Sequence, residues 1–411
     1  MSNPIDMSRL PAHARLVARS DVWMEGEGVD QLARVAALPG CVRAVGMPDL
    51  HAGRGIPVGA VFAFADRVRP ELVGGDAGCG VRLASARAVK MSLDAIERRV
   101  QAALDDDPLD ACDGAELFAA VWRGGARALA EVPGVPEALA ELASVEPVDG
   151  LGPSGDPDAY RGGFEAQLGS VGGGNHFVEI ARVSALPDPE GAAAVGLEKG
   201  GLAVLAHSGS RGLGGAVARR WSERELLGDA IAPYLADLAG ACRFARANRF
   251  VLAYRLLRAL GAARSGKIAG GFDVTHNDVV REVCAGAPAW IHRKGAAPAR
   301  GAEPTIVLGS RGAPSWVLRG TDCEGGLRSV AHGAGRRMGR SEARDKLKGR
   351  YTRAELSRTR LGGRVLCGDP ELLYEEHPDA YKPVGPVVES LIEAGLATPL
   401  AELTPLLTVK R

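Results

Sequence analysis

In GGDAGCGVRL, residues 74–83, a carboxylate and a thiol stand three positions apart: Asp76 and Cys79, set among Gly74, Gly75, Gly78 and Gly80. On so short a loop both side chains can face one point, and the small neighbours let a ligand approach the backbone. Thiolate and carboxylate are both anionic donors, so a divalent metal is the simplest occupant of that point. A buried structural cysteine beside a turn aspartate meets the same spacing. The loop alone leaves both readings open.

The histidines shift the balance. There are eight, and His176, His207, His276 and His332 each lie in or beside a small polar loop. A lone histidine of this kind is more often structural, but four such loops together with Asp76 and Cys79 point to one centre. Several imidazoles, a thiolate and a carboxylate suit Mn²⁺ or Zn²⁺ better than Mg²⁺ or Ca²⁺, which prefer oxygen shells. His332 differs from the others because it precedes GAGRRMGR, a glycine turn followed by Arg336, Arg337 and Arg340. Imidazole beside arginines and exposed backbone N–H groups suits phosphate. Histidine can also attack phosphorus and form a covalent intermediate; a plain anion-binding loop is the alternative. His13 and His377 sit in polar surroundings and receive no role, and His51 and His292 are undecided. The acidic run Asp105, Asp106, Asp107 reads as a solvated helix edge.

These residues need a scaffold. The chain has 411 residues, 46% hydrophobic and 24% charged, ordinary values for a globular protein. Its formal net charge of +0 excludes a generally basic surface, so nucleic acid would need a local patch. Seven scattered cysteines, an odd count with no CxxC pair, argue against a disulfide framework and for a reducing, cytoplasmic setting. The N-terminus lacks an apolar signal core, and no run approaches the length of a membrane span.

Along the chain, a short polar arm precedes a helix at about 27–38 and a buried strand at 41–47. MPDLHAGRGIPVG, 47–59, reads as a turn-rich loop carrying Asp49 and His51. Strands follow at 58–65 and 81–89, then helical spacing over 90–145 and a Pro/Gly/Asp-rich loop over 146–163. Glycine-rich turns lead into or out of strands near His176 and His207. Residues 215–263 hold two or three helices, TIVLGSRGAPSWVL at 305–318 reads strand–turn–strand, and a short helix spans 386–393. The candidate loops are spread over residues 47–340 with no convincing linker. They can converge only if the whole chain, 1–411, folds as one catalytic domain. Strands and helices without regular βαβ alternation predict an α+β fold.

Taken together, MPDLHAGRGIPVG, GGDAGCGVRL, LGSVGGGNHFVEI, AHSGSRGLG, VTHNDVV, HRKGAA, SVAHGAGRRMGRS, DAYK at 379–382 and the terminal VKR resemble the RtcB family of RNA-splicing ligases, in family order. The resemblance implies a compact domain of mixed sheets flanked by helices around a dinuclear metal cleft. It implies GTP- and Mn²⁺-dependent joining of RNA 3′-phosphate or 2′,3′-cyclic phosphate ends to 5′-hydroxyl ends. The implied intermediates are a histidine–GMP adduct at His332 and a guanylylated RNA 3′ end. Asp76, Cys79, His176, His207 and His276 match the ligands of two Mn²⁺ ions. Asn175, Glu179, Ser310, Gly333, Ala334, Gly335, Tyr381 and Lys410 match the nucleotide pocket, with Glu179 reading guanine. Asp49 is implied to orient His332, and Arg211 and Arg340 to hold RNA phosphates. An archease-type activator serves parts of the family.

The chain departs from the family pattern at Ala77, at Ala331 before the nucleophile, at Arg411, and at LGSRG, where Arg311 replaces the usual methionine. Arg311 bears most directly on the nucleotide pocket or RNA groove. A metal-dependent phosphoesterase that only opens cyclic phosphates would need neither His332 nor Glu179. A non-catalytic RNA-end binding protein would need none of the five metal ligands.

Overall fold

The computed structural model describes residues 9–87, 89–160, 162–222 and 224–411, so the first eight residues of the expected N-terminal arm lie outside it. Mixed α+β architecture is observed, built on two large sheets. The path of the eight-stranded sheet runs Pro304–Val307, Ser315–Gly320, Ala397–Lys410, Phe177–Ala185, Leu202–Ser208, Gly80–Ala86, Ile268–Thr275, each strand antiparallel to the next. Arg364–Cys367 adds in parallel beside the end of Ala397–Lys410. The five-stranded sheet runs Ala14–Leu16, Cys41–His51, Val58–Phe64, Ala287–Lys294, Asn277–Cys284.

Register in the larger sheet explains how distant loops meet. Cys79 and His176 directly precede the strands Gly80–Ala86 and Phe177–Ala185, whereas His207 and His276 lie at or just beyond the ends of Leu202–Ser208 and Ile268–Thr275. Neighbouring antiparallel strands place the start of one beside the end of the next. Gly80 pairs with Ser208 and with Thr275, and Phe177 pairs with His207. All four side chains therefore emerge at one edge of the sheet.

A 29-residue helix, Ile231–Ala259, packs on the strands Leu202–Ser208 and Gly80–Ala86. It is buried nearly all round, enclosed by other layers, and the arginines it carries inside are met by carboxylates and carbonyls. Leu252 and Leu256 meet Val178, Val204 and Leu407 of the sheet on one side. Phe244 and Val251 join Phe118, Trp122, Leu129 and Leu139 of the helical segment on another. Within that segment, helices Leu93–Asp105 and Gly114–Gly124 start at Ser92 and Asp113, whose side chains accept from the N–H groups of Ala95 and Glu116. The acidic run stays at a helix edge: Asp105 pairs with Arg411 and Asp106 with Arg258, and Asp107 accepts from the Leu109 N–H. A second core joins Val45, Val61 and Ile291 of the five-stranded sheet to Val387 and Leu391 of helix Val384–Glu393.

One reading from sequence needs correction. Asp49 and His51 are not on a loop; the strand Cys41–His51 runs through both. Pairing with Val58–Phe64 shifts register between Gly46 and His51, and this irregularity accommodates Pro48, which has no N–H for a ladder. The terminal LLTVK completes the 14-residue strand Ala397–Lys410, flanked by strands on both sides. Among the described residues no helix is long and apolar enough to cross a membrane.

Candidate active site

Cys79 Sγ lies 3.4 Å from His176 Nε2 and 3.5 Å from His207 Nε2. His176 Nε2 is also 3.2 Å from Asp76 Oδ2. Donor atoms of Cys79, His176 and His207 all fall within 4.8 Å of one another. His276 extends the row, its ring centroid 5.2 Å from that of His207 and 4.8 Å from that of His332. Asp76 can take its place because residue 209 is glycine; a Cβ there would stand 2.1 Å from Asp76 Oδ1.

The electrostatics suit a cation. Burial, reinforced by the neighbouring histidines, pushes His207 and His276 well down, so both rings are neutral and keep a lone pair. Against the effect of burial, His176 helps hold Asp76 below the usual carboxylate range. Burial and the Asp76 carboxylate push the Cys79 thiol well up, so a thiolate there requires a bound cation. Nδ1 of His176 and of His207 are buried without a hydrogen-bond partner. A sulfur, imidazole and carboxylate set of this kind fits a divalent transition metal.

The ligand loops are braced from behind by Arg249, fully buried on the long helix. Its Nε and Nη2 donate to the Asp273 carboxylate at 2.9 and 2.6 Å. Its Nη1 donates to the carbonyls of Gly78 and Ser208 at 2.7 and 2.9 Å. The His276 N–H in turn donates to the Cys79 carbonyl at 2.8 Å. One guanidinium thus ties three of the site's loops together.

His332 follows the short strand Ser329–Ala331, and its Nδ1 is 2.8 Å from Oδ2 of fully buried Asp49. A carboxylate can only accept, so Nδ1 carries the proton and the neutral ring keeps its lone pair on Nε2. Lys382, from DAYK, donates to the carbonyls of Pro48 and Leu50 at 3.0 and 2.7 Å and clamps the strand on either side of Asp49. His51 also reaches the site; burial pushes it down to about 4, and its Nδ1 lies 2.9 Å from the Asp49 carbonyl. His292 is structural, accepting from the Arg69 N–H at 3.0 Å with its edge against Phe64.

His51, Asp76, Cys79, His207, His276 and His332 share a cavity of about 660 Å³. Asn175, Ser310, the Gly333–Gly335 turn, Arg340, Tyr381 and Lys410 also line it. So does Glu179, which is 2% exposed. The Thr408 hydroxyl donates to Glu179 Oε2 at 2.6 Å, while Oε1 is buried without a partner. Burial pushes the Glu179 carboxyl up to about 7. Lys410 donates to the carbonyls of Gly174 and His176 at 3.1 and 3.2 Å. Arg211 is not part of the cavity wall. Its Nε lies 3.2 Å from Ser170 Oγ, and its guanidinium occupies the space a Cβ on residue 172 would need. Its own φ is 57° and ψ −147°, a strained backbone for a non-glycine residue at the start of helix Gly212–Trp221.

Sequence reasoning missed three groups here. Arg249 carried no local signal, since it is one more arginine in a helical stretch. Glu376 is 2% exposed and gathers Arg336 Nη1 at 2.9 Å, the Tyr381 hydroxyl and Lys410 Nζ at 3.5 Å. Lys294, in the quoted HRKGAA, lines the cavity and donates to the Val73 carbonyl at 2.6 Å. Arg311 lies in the cavity wall with its Nη2 2.7 Å from the Leu373 carbonyl, and burial pushes it down to about 10.

A family model described as tRNA-splicing ligase RtcB matches residues 31–411. The chain belongs to the RtcB family. It is 38% identical over 402 residues to the RNA-splicing ligase RtcB2 of Escherichia coli, covering 96% of this chain and 94% of that protein. It is 33% identical over 443 residues to the RNA-splicing ligase RtcB of Mycobacterium tuberculosis, covering 92% of this chain and 100% of that protein. The tRNA-splicing ligase RtcB of Archaeoglobus fulgidus is 30% identical over 463 residues, covering 97% of this chain and 94% of that protein. As a member of the RtcB family the protein is an enzyme, a ligase acting on RNA.

Proposed function

We propose that this protein is a GTP- and Mn²⁺-dependent ligase that joins RNA 3′-phosphate or 2′,3′-cyclic phosphate ends to 5′-hydroxyl ends through a histidine–GMP intermediate. The observation that carries this reading is His332, held at 2.8 Å by buried Asp49, in the same cavity as Glu179 and as Cys79 and His207 of the Cys79–His176–His207 cluster. A metal-dependent phosphoesterase could open the cyclic phosphate with metal-activated water and would need neither His332 nor Glu179.

Asp76, Cys79, His176, His207 and His276 would hold the metal ions, which supply charge neutralisation for triphosphate and pyrophosphate. His332 Nε2 attacks the α-phosphorus of GTP; the P–N bond forms as the bond to pyrophosphate breaks. Asp49 keeps the Nδ1 proton in place and balances the positive charge that develops on the ring. Glu179 accepts from guanine N1–H and the 2-amino group, and Lys410, Tyr381, Ser310 and Asn175 hold the rest of the nucleotide. Guanylate then passes to the RNA 3′-phosphate, the 5′-hydroxyl attacks that end, and GMP leaves. Arg211 and Arg340 hold RNA phosphates. A cyclic phosphate is opened to the 3′-monophosphate at the same site.

The site draws on residues from Asp49 to Lys410, which supports treating the whole chain as one catalytic unit. All seven cysteines are free, which supports a reducing, cytoplasmic setting.

The test is to incubate the protein with GTP labelled on the α-phosphate and Mn²⁺, then map the adduct by mass spectrometry. An acid-labile, alkali-stable label on His332 is expected. A label on any other residue, or none in a protein that still ligates, refutes the mechanism.

A further inference from the structure

A second cavity, of about 390 Å³, shares no lining residue with the active-site cavity. It is walled by the strands Gly80–Ala86 and Ile268–Thr275, the long helix Ile231–Ala259, the turn after helix Gly114–Gly124, and the loop carrying Glu146 and Asp149. The sequence suggested nothing here, and the proposed reaction makes no use of it.

Its charges do not cancel. Arg82 donates to both oxygens of Glu146 at 2.8 and 2.5 Å. Arg243 donates to both oxygens of Asp149 at 2.7 and 3.1 Å. Asp273, the remaining carboxylate in the wall, is engaged by Arg249 from outside the cavity. That leaves three more lining guanidiniums, Arg123, Arg127 and Arg246, with no carboxylate within 4.0 Å among the described residues. Arg127 and Arg246 donate only to the neutral acceptors Glu146 O, Asp149 O and Thr275 Oγ1.

A second observation points the same way. Arg243 is 7% exposed, yet its Nη1 is buried and has no hydrogen-bond partner. A buried charged donor left unmet is costly, so a negative charge in the adjoining cavity is favoured. An anion is the ligand this cavity favours, because its guanidiniums outnumber its carboxylates and those carboxylates are already engaged. It must also offer several oxygens to donors arriving from different elements. A phosphate group meets both needs, with a tetrahedron of oxygens that takes converging or forked N–H donors.

We propose that this cavity is a second phosphate-binding site, separate from the catalytic one. The phosphate can come from an RNA strand held away from its reacting end, or from a free phosphate or small phosphate ester. Both place the same group among Arg123, Arg127, Arg243 and Arg246.

Hydrogen–deuterium exchange read by mass spectrometry tests this on the full-length protein. The probes are inorganic phosphate and, separately, a single-stranded RNA oligonucleotide. Slowed exchange over residues 123–130 and 146–150 is expected with at least one probe, and should be lost in Arg123→Ser/Arg127→Ser. Both positions are exposed and outside the catalytic cavity, so exchange elsewhere in the variant should match wild type, which also checks its fold. Protection by RNA but not by phosphate assigns the site to the strand; protection by phosphate assigns it to a free ligand. In the strand case the variant's log–log salt dependence of RNA binding should fall by about 0.7 for each arginine–phosphate pair removed. Unchanged exchange over both segments with both probes overturns the proposal, as does protection that persists in the double variant.

Discussion

Replacing Glu179 by Gln should stabilise the protein and blunt its choice of nucleotide. Glu179 is 2% exposed, has one unpartnered oxygen, and burial raises its carboxyl from 4.5 to about 7. Holding this group ionised in the folded state therefore costs about 3 kcal/mol. The folded protein keeps the proton that the unfolded chain releases near pH 4.5. The group's contribution to stability is therefore fully present below that pH and is lost as pH rises through about 7. Between pH 5 and 8 this amounts to about 2–3 kcal/mol. Glutamine does not titrate, so the stability gap between Glu179→Gln and wild type should widen by that amount, in favour of the variant, over this range. Urea denaturation at the two pH values measures it. Guanine needs two acceptors, and the amide offers one acceptor and one donor. Losing a charge-assisted hydrogen bond costs roughly 1.5–3 kcal/mol, a ten- to hundredfold fall in the labelling efficiency of GTP relative to ATP. In wild type that preference should itself rise about tenfold from pH 6 to 8 as Glu179 ionises. A stability gap independent of pH would refute the burial argument. A variant with the wild-type GTP preference would remove Glu179 from the nucleotide pocket.

Cys79→Ala should lose metal binding and nucleotidyl transfer together, because Cys79 touches both His176 and His207; two bound Mn²⁺ by metal analysis in the variant would contradict this. Arg249→Met takes the paired cation from part-buried Asp273 and the donor from the Gly78 and Ser208 carbonyls, and should cost about 3 kcal/mol in urea denaturation, with partial recovery when Asp273→Asn is added. Arg211→Ala and Arg340→Ala should each lower the log–log salt slope of single-stranded RNA binding by about 0.7, and an unchanged slope assigns the residue elsewhere. His332→Ala should lose the GMP adduct and ligation of ordinary ends, yet still seal RNA supplied with a guanylylated 3′ end; failure on that substrate under conditions where wild type succeeds would mean the histidine acts in sealing too.

Much of the site was legible because chemistry concentrates rare residue types in short loops. Asp76, Cys79 and the histidine loops could be recognised without coordinates, as could the glycine–arginine turn after His332. The strand-and-helix content of an α+β fold could be read in the same way. One local reading failed for an identifiable reason. Pro48 and the glycines after His51 look like a loop, but an irregular ladder absorbs the proline and keeps Asp49 on a strand. The C-terminal strand was not legible in the sequence at all, since Pro399 and Pro405 interrupt it; pairing with Phe177–Ala185 and Ser315–Gly320 makes it one long strand.

By itself the sequence determined which donors are available, that they suit a transition metal and phosphate, and which family the chain joins. Side-chain type and motif order are one-dimensional properties, so they needed no fold. Tertiary structure decided which groups meet. Antiparallel register brings Cys79, His176, His207 and His276 to one sheet edge across nearly two hundred residues of chain. Burial raises Glu179 and Cys79 and lowers His207 and His276. Arg249, Glu376 and Lys382 acquire their parts only through long-range contact, and so does the arginine-lined second cavity. An arginine on a helix or a glutamate before a turn looks the same in sequence whether it faces water or braces an active site. Solvation and charge environment depend on three-dimensional packing, and only the folded chain supplies it.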